Sequence, residues 1–373
     1  MASVSTASTI PTPCGTGSGI SSRLGYEPDG RLDRKGDQLQ PAGVSKISED
    51  KGDASKPIIP PGIQPGDTIG IVAPASPMLP ERLEAGVRYL TSRGYRILLG
   101  EHVRRQRGYL AGTDAERAED LMRMFADPEV KAIVAARGGY GTQRILDGLD
   151  FGLIASHPKL LIGYSDLTAL QLAIWKHSGL VTYSGPMAAI EMGRGIHPFT
   201  ERAFWGLVER PGIAGRLELP PDCAVRCLRP GVARGRILGG CLSVVTTLLG
   251  TRHRPDFAGA ILLLEDIGEE PYRIDRYLAQ LCHAGVLDEV AGVILGQFID
   301  CVPAFRETPS LTVEEVLEDY FGELPVPVLT GFPYGHGEVK LTIPLGIEAE
   351  LDAGAGELRL LEPSVQTGDV VAS

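Results

Sequence analysis

The chain has 373 residues, 43% of them hydrophobic and 22% charged, so it can bury more than one core, and none of its apolar runs approaches the roughly 18 residues of a membrane span. A formal net charge of −11 works against a sequence-independent grip on nucleic acid, which rests on Lys and Arg neutralising phosphates. A soluble globular protein with neither a nucleic-acid nor a membrane partner is the expectation.

Residues 1–61 are rich in Ser, Thr, Gly, Pro and charge and carry no periodic apolar pattern. Such a segment cannot bury enough surface to offset its ordering entropy, so a disordered extension is expected. It lacks the apolar stretch of a secretory signal, and its acid-free start resembles a transit peptide only weakly. Order is expected from Gly62 onward. A strand is predicted over 68–74, a helix over 79–93, a strand over 95–99, a helix over 114–125 and a strand over 131–136. After Gly138-Gly139-Tyr140-Gly141 a helix should resume, followed by a strand at 160–163 and a helix through Trp175. Continuous apolar strands alternating with helices indicate a parallel sheet covered on both faces.

Residues 191–234, with a helix near 199–208 and then proline-rich sequence, read as a connection. Beyond it come Gly235 to Gly240, a helix through Leu249, a strand at 260–265, a helix at 272–283 and a strand at 292–296. Late strands are predicted at 339–343, 346–351 and 357–361. The fold class is therefore α/β, with an N-terminal parallel-sheet domain (62–190) and a C-terminal β-rich α/β domain (235–365), ending in a tail (366–373).

In open sheets of this kind, active groups gather at the carboxyl ends of strands. Ser165 lies there, on a corner between the apolar strand and its helix, where free backbone N–H groups can stabilise developing negative charge. A helix cap and a nucleophile both fit that position. Gly138-Gly139-Tyr140-Gly141 fits a tight turn or an oxyanion hole but not a nucleotide-binding loop. Glu265 ends a strand of aliphatic residues, where a carboxylate needs a partner, whereas Asp266, Glu269 and Glu270 read as a solvated loop. Among seven histidines, His336 stands between Gly335 and Gly337, uncrowded. Ser165, Glu265 and His336 together supply a nucleophile, an orienting acid and a base. The six cysteines (Cys14, Cys223, Cys227, Cys241, Cys282, Cys301) show no zinc spacing, so free thiols in a reduced compartment are expected, and neither a metal nor a cofactor.

Six motifs in order carry a resemblance over about 63–361: Gly66-Asp67 with Ile71-Val72-Ala73-Pro74-Ala75; Ala111-Gly112-Thr113-Asp114; Arg137 to Gly141; Gly163-Tyr164-Ser165-Asp166-Leu167-Thr168; Leu264-Glu265-Asp266; and Gly335-His336-Gly337 with Pro344-Leu345-Gly346. In these the chain resembles the LD-carboxypeptidases, serine peptidases that include murein tetrapeptide carboxypeptidase and the microcin C immunity peptidases. The resemblance implies Ser165 as nucleophile, His336 as general base, Glu265 as its orienter, and an oxyanion hole from the backbone N–H groups of Gly139 and Asp166. It implies a homodimeric, cytoplasmic enzyme that takes a small muropeptide and releases its terminal D-alanine in peptidoglycan recycling. Arg137 is a candidate for holding the terminal carboxylate.

An immunity-type peptidase acting on aminoacyl-nucleotide amides is the alternative, and Phe199, Phe204 or Trp205 would then be candidates to stack on a base. A catalytically silent binding protein on the same fold is the alternative of another class. One departure stands inside the resemblance: Cys241 occupies a position where the family usually has Asn, which leaves the local hydrogen bonding open.

Overall fold

The computed structural model describes residues 56–367 except 213, 214, 305, 306 and 308. Residues 1–55, the greater part of the extension expected to be disordered, and 368–373 of the tail lie outside the described residues. Residues 56–61 depart from that expectation. Ile58 bridges to Leu180 and Pro61 to Gln366, with Ile58 N–H donating to Gly179 O at 2.9 Å. Apolar Ile59 is buried, which draws this lead-in onto the folded body.

Five parallel strands, β1 (Thr68–Val72), β2 (Arg96–Leu99), β3 (Val130–Ala135), β4 (Leu160–Gly163) and β5 (Thr182–Ser184), form one sheet in the order β5-β4-β3-β1-β2. Every residue of β1 and β4 is buried, as continuous apolar strands covered on both faces require. The second sheet is mixed. It contains β6 (Gly215–Arg216), β7 (Arg226–Arg229), β8 (Val232–Cys241), β9 (Ile261–Ile267), β10 (Gly292–Ile299) and β11 (Val328–Thr330). After these, β12 (Ile343–Leu345) returns to the first sheet antiparallel to β5, while β13 (Glu348–Asp352) and β14 (Glu357–Leu360) complete the second. The order there is β6-β14-β13-β8-β9-β10-β11-β7, with β8 to β11 parallel.

Three local differences from the sequence reading have physical reasons. The expected strand at 339–343 is loop up to Thr342, because the N–H of Lys340 donates to Thr200 Oγ1 and that of Leu341 to Pro333 O. The segment 191–234 supplies both edges of the second sheet, β6 and β7, besides the helix Pro198–Val208. A 3-10 helix, Thr142–Gly148, precedes a short helix Phe151–Ser156, whose start Asp150 caps.

The helix Leu167–Ser178 follows β4, and all its residues from Leu167 to Ile174 are buried. It touches β5 and β8, one strand from each sheet, and shares a core with Leu238 and Leu242. At about 1.5–3 kcal/mol per buried large aliphatic side chain, this is a rigid mount for whatever its N-terminal corner carries. Behind the corner, the fully buried Arg117 donates to Gly141 O at 2.8 Å, to Pro74 O, and to Asp114 Oδ1 at 2.5 Å. It therefore ties the glycine loop after β3 to the end of β1. Arg117→Met is expected to cost about 3 kcal/mol, read as a lowered denaturant midpoint, because two carbonyls lose a charged donor. An unchanged midpoint would remove Arg117 from that role.

Candidate active site

Ser165 has φ +67°, and only Asp300 shares such a value among the described non-glycine residues. The left-handed region costs an L-residue about 1–2 kcal/mol, so the surroundings must hold it there. Its carbonyl accepts from Thr168 N–H at 2.9 Å, and the helix begins one residue later than a serine cap would place it, with Asp166 as N-cap. Ser165 is therefore not the cap. Gly138 lies directly against it: a Cβ on Gly138 would stand 2.9 Å from Ser165 Cβ and 3.1 Å from its Oγ.

β9 carries Glu265, which is 1% exposed and lies in register with Cys241 of β8. Its Oε2 is 2.7 Å from His336 Nδ1. Gly335, at φ +116°, permits that approach, since a Cβ there would sit 2.6 Å from the same oxygen. Burial raises the Glu265 carboxyl above its ordinary value, and the hydrogen bond to His336 opposes that rise. An ionised Glu265 holds the proton on Nδ1 and leaves Nε2 as the acceptor. Among the described residues no hydrogen bond joins Ser165 to His336. They are neighbours through Tyr164, whose ring meets the imidazole edge-on with centroids 5.0 Å apart. A resting site of this kind commonly tightens only when substrate is bound.

Neither Gly139 N–H nor Asp166 N–H donates to a protein group among the described residues, although their neighbours do: Tyr140 N–H donates to Ser76 Oγ at 3.1 Å. The Asp166 carboxylate is turned away and accepts from Thr142 N–H at 2.8 Å. Arg137 donates to Pro77 O at 3.2 Å, and its buried Nε has no partner among the described residues.

Some of the sequence reading is corrected here. Asp266 is buried rather than solvated, and it accepts from Ser243 N–H at 2.7 Å at the start of the helix Leu242–Leu248. The same carboxylate takes up the Cys241 thiol at 3.5 Å, which answers the question of local hydrogen bonding at that position. Burial pushes that thiol well above its usual range, so it remains protonated. Phe204 and Trp205 are core residues; Trp205 stacks on Tyr95 with centroids 5.2 Å apart and donates to Tyr89 OH at 2.8 Å. Neither is available to stack on a ligand.

Sequence reasoning missed a buried group beside His336. Tyr164 OH donates to Glu191 Oε1 at 2.7 Å, and Lys340 Nζ donates to the same oxygen at 2.6 Å. Burial would raise the Glu191 carboxyl, but the Lys340 charge and the hydrogen bonds around it prevail and hold it below its usual value. Only the position of Tyr164 next to Ser165 hinted at this; nothing local marks Lys340 as buried.

An α/β frame of two sheets, with a strained serine just after β4 and a buried glutamate within β9 hydrogen-bonded to a histidine of the loop between β11 and β12, is the setting of a serine hydrolase. Family models for the N-terminal and C-terminal domains of LD-carboxypeptidases match residues 69–185 and 234–351, and the chain belongs to that family of serine-type carboxypeptidases. It is 43% identical over 310 residues to a probable murein peptide carboxypeptidase of Bacillus subtilis (strain 168), a match covering 83% of this chain and 96% of that protein. Among solved structures, MccF in complex with glutamyl sulfamoyl guanosine superposes with a TM-score of 0.77 at 26% identity, covering 83% of this chain and all of that one. Muramoyltetrapeptide carboxypeptidase from Oxalobacter formigenes does so at 0.68 and 32%, covering 79% and 97%.

Proposed function

We propose that this protein removes the terminal D-alanine from a murein tetrapeptide by hydrolysing an L,D amide bond, with Ser165 as nucleophile. The observation that carries the assignment of the base is the 2.7 Å contact between Glu265 and His336, beside a serine held in a strained conformation. His336 Nε2 takes the proton as Ser165 Oγ attacks the scissile carbonyl, and Glu265 stabilises the imidazolium that forms. The N–H groups of Gly139 and Asp166 receive the oxyanion, each donor of that kind contributing about 3 kcal/mol. Collapse breaks the amide bond, and His336 returns the proton to the departing amine of D-alanine. Water, deprotonated by His336, then hydrolyses the acyl-enzyme and frees Ser165.

Arg137 is the candidate partner for the terminal carboxylate, since its Nε is uncommitted among the described residues. A substrate drawn from recycled wall peptides fits an enzyme of the cytoplasm, acting as a homodimer like its family. The aminoacyl-nucleotide alternative has lost two of its candidate stacking aromatics, Phe204 and Trp205, to the core. The deciding experiment incubates the protein with L-Ala-γ-D-Glu-meso-diaminopimelate-D-Ala and measures free D-alanine. Stoichiometric release is expected; no release would sink the murein assignment while leaving the Ser165 chemistry open to another amide.

A further inference from the structure

We propose that Tyr164, clamped by a buried Glu191–Lys340 pair, is a positioning residue that sets the His336 imidazole relative to Ser165. The inference rests on the catalytic reading above and adds to it what holds the base in place. Glu265 fixes only one atom of the ring, Nδ1, and a single hydrogen bond leaves the ring free to rotate about it. A second contact is needed to aim Nε2.

Tyr164 supplies that contact. Its ring lies edge-on to the imidazole at 5.0 Å, and it immediately precedes the nucleophile in the chain. Two interactions hold the tyrosine, and a third joins its two partners to each other. Its hydroxyl donates to Glu191 at 2.7 Å, the Lys340 ammonium sits 4.1 Å from its ring centroid, and Lys340 donates to the same Glu191 oxygen at 2.6 Å. The second Glu191 oxygen accepts from Met187 N–H at 3.0 Å, and the Lys340 backbone is pinned to Thr200. All three side chains are nearly out of water.

The chain positions give the arrangement its reach. Lys340 lies four residues after His336 on the same loop, while Tyr164 adjoins Ser165 and Glu191 is hydrogen-bonded to Met187 N–H at the end of the domain that carries the serine. The ion pair therefore ties the loop bearing the base to the part bearing the nucleophile. A buried ion pair often adds little net stability over an apolar pair of similar volume, so a role in geometry is the better account of its presence here.

The test compares Glu191→Leu/Lys340→Met, which removes both charges, with Tyr164→Leu and the conservative Tyr164→Phe. Turnover is read by D-alanine release and, independently of substrate identity, by the rate at which a fluorophosphonate labels Ser165. The double variant and Tyr164→Leu are expected to lose roughly 10- to 100-fold in kcat with KM little changed, the scale of a misplacement near 1 Å. The downfield proton resonance of the Glu265–His336 hydrogen bond should broaden in both, and Tyr164→Phe should recover most of the rate. Wild-type kcat and labelling in a folded double variant, with the resonance unchanged, would overturn the inference. If the double variant does not fold, Tyr164→Leu alone is read by the same criteria. Retained turnover in Ser165→Ala would bring down the catalytic reading and this inference together, whereas an inactive Ser165→Ala beside an unimpaired double variant brings down this inference alone.

Discussion

Ser165→Ala is expected to lower kcat on the order of 10⁵-fold or more while leaving the fold intact, because on the proposed mechanism it removes the covalent nucleophile and leaves only binding and the oxyanion donors. The structure adds a second expectation for the same position. Ser165 sits at φ +67°, and alanine inherits that strain whereas glycine does not. Ser165→Gly should therefore be equally inactive but melt at or above Ser165→Ala, with the relief of about 1 kcal/mol partly offset by the greater chain entropy of glycine. Steady-state kinetics and thermal melts of the two variants suffice. An alanine variant retaining more than about 1% of wild-type kcat would place the nucleophile elsewhere.

Replacing Glu265 by Gln should cost on the order of 10³- to 10⁴-fold in kcat with KM nearly constant. The amide can turn its NH2 group toward His336 Nδ1, which then acts as the acceptor and sends the ring proton to Nε2. A protonated Nε2 cannot take the proton of Ser165. Stability should move the other way with pH. Burial holds the Glu265 carboxyl above its ordinary value, so the folded state binds more protons than the unfolded one above the usual carboxylate range. The contribution of a raised carboxyl is present below its unfolded value and is lost as pH rises through the folded one. The Glu265→Gln variant has no such loss, so its melting temperature should gain on that of wild type as pH rises above the usual carboxylate value of about 4. A constant difference across that range would mean that burial does not perturb Glu265, and an undiminished kcat would remove it from the orienting role.

The local signals behind these two predictions were visible in the chain. Ile162-Gly163-Tyr164-Ser165 running without a spacer into an amphipathic helix marked a corner, and Glu265 at the end of Ile261 to Leu264 marked a carboxylate in need of a partner. Glycines on both sides of His336 marked an uncrowded imidazole, and the structure adds that a Cβ at Gly335 would reach Glu265 Oε2. These are properties of neighbours in sequence, where periodicity and backbone freedom act directly.

What the sequence by itself determined, then, was the alternation of strands and helices, the two-sheet α/β class and, by motif order, the family and its catalytic candidates. Only the tertiary structure decided which side chains meet. Glu265 and His336 are 71 residues apart and Glu191 and Lys340 are 149 apart, and no local pattern encodes either pairing. A lone lysine in a loop reads as solvated, and only a partner brought by the crossing of the chain makes its burial tolerable. The same holds for β12, which joins β5 of the first sheet after a loop pinned at Lys340 and Leu341. At Ser165 the two levels join. The corner was legible from its neighbours, but the left-handed backbone that makes it a strained presentation of the hydroxyl, rather than a helix cap, exists only because the surrounding packing holds it there.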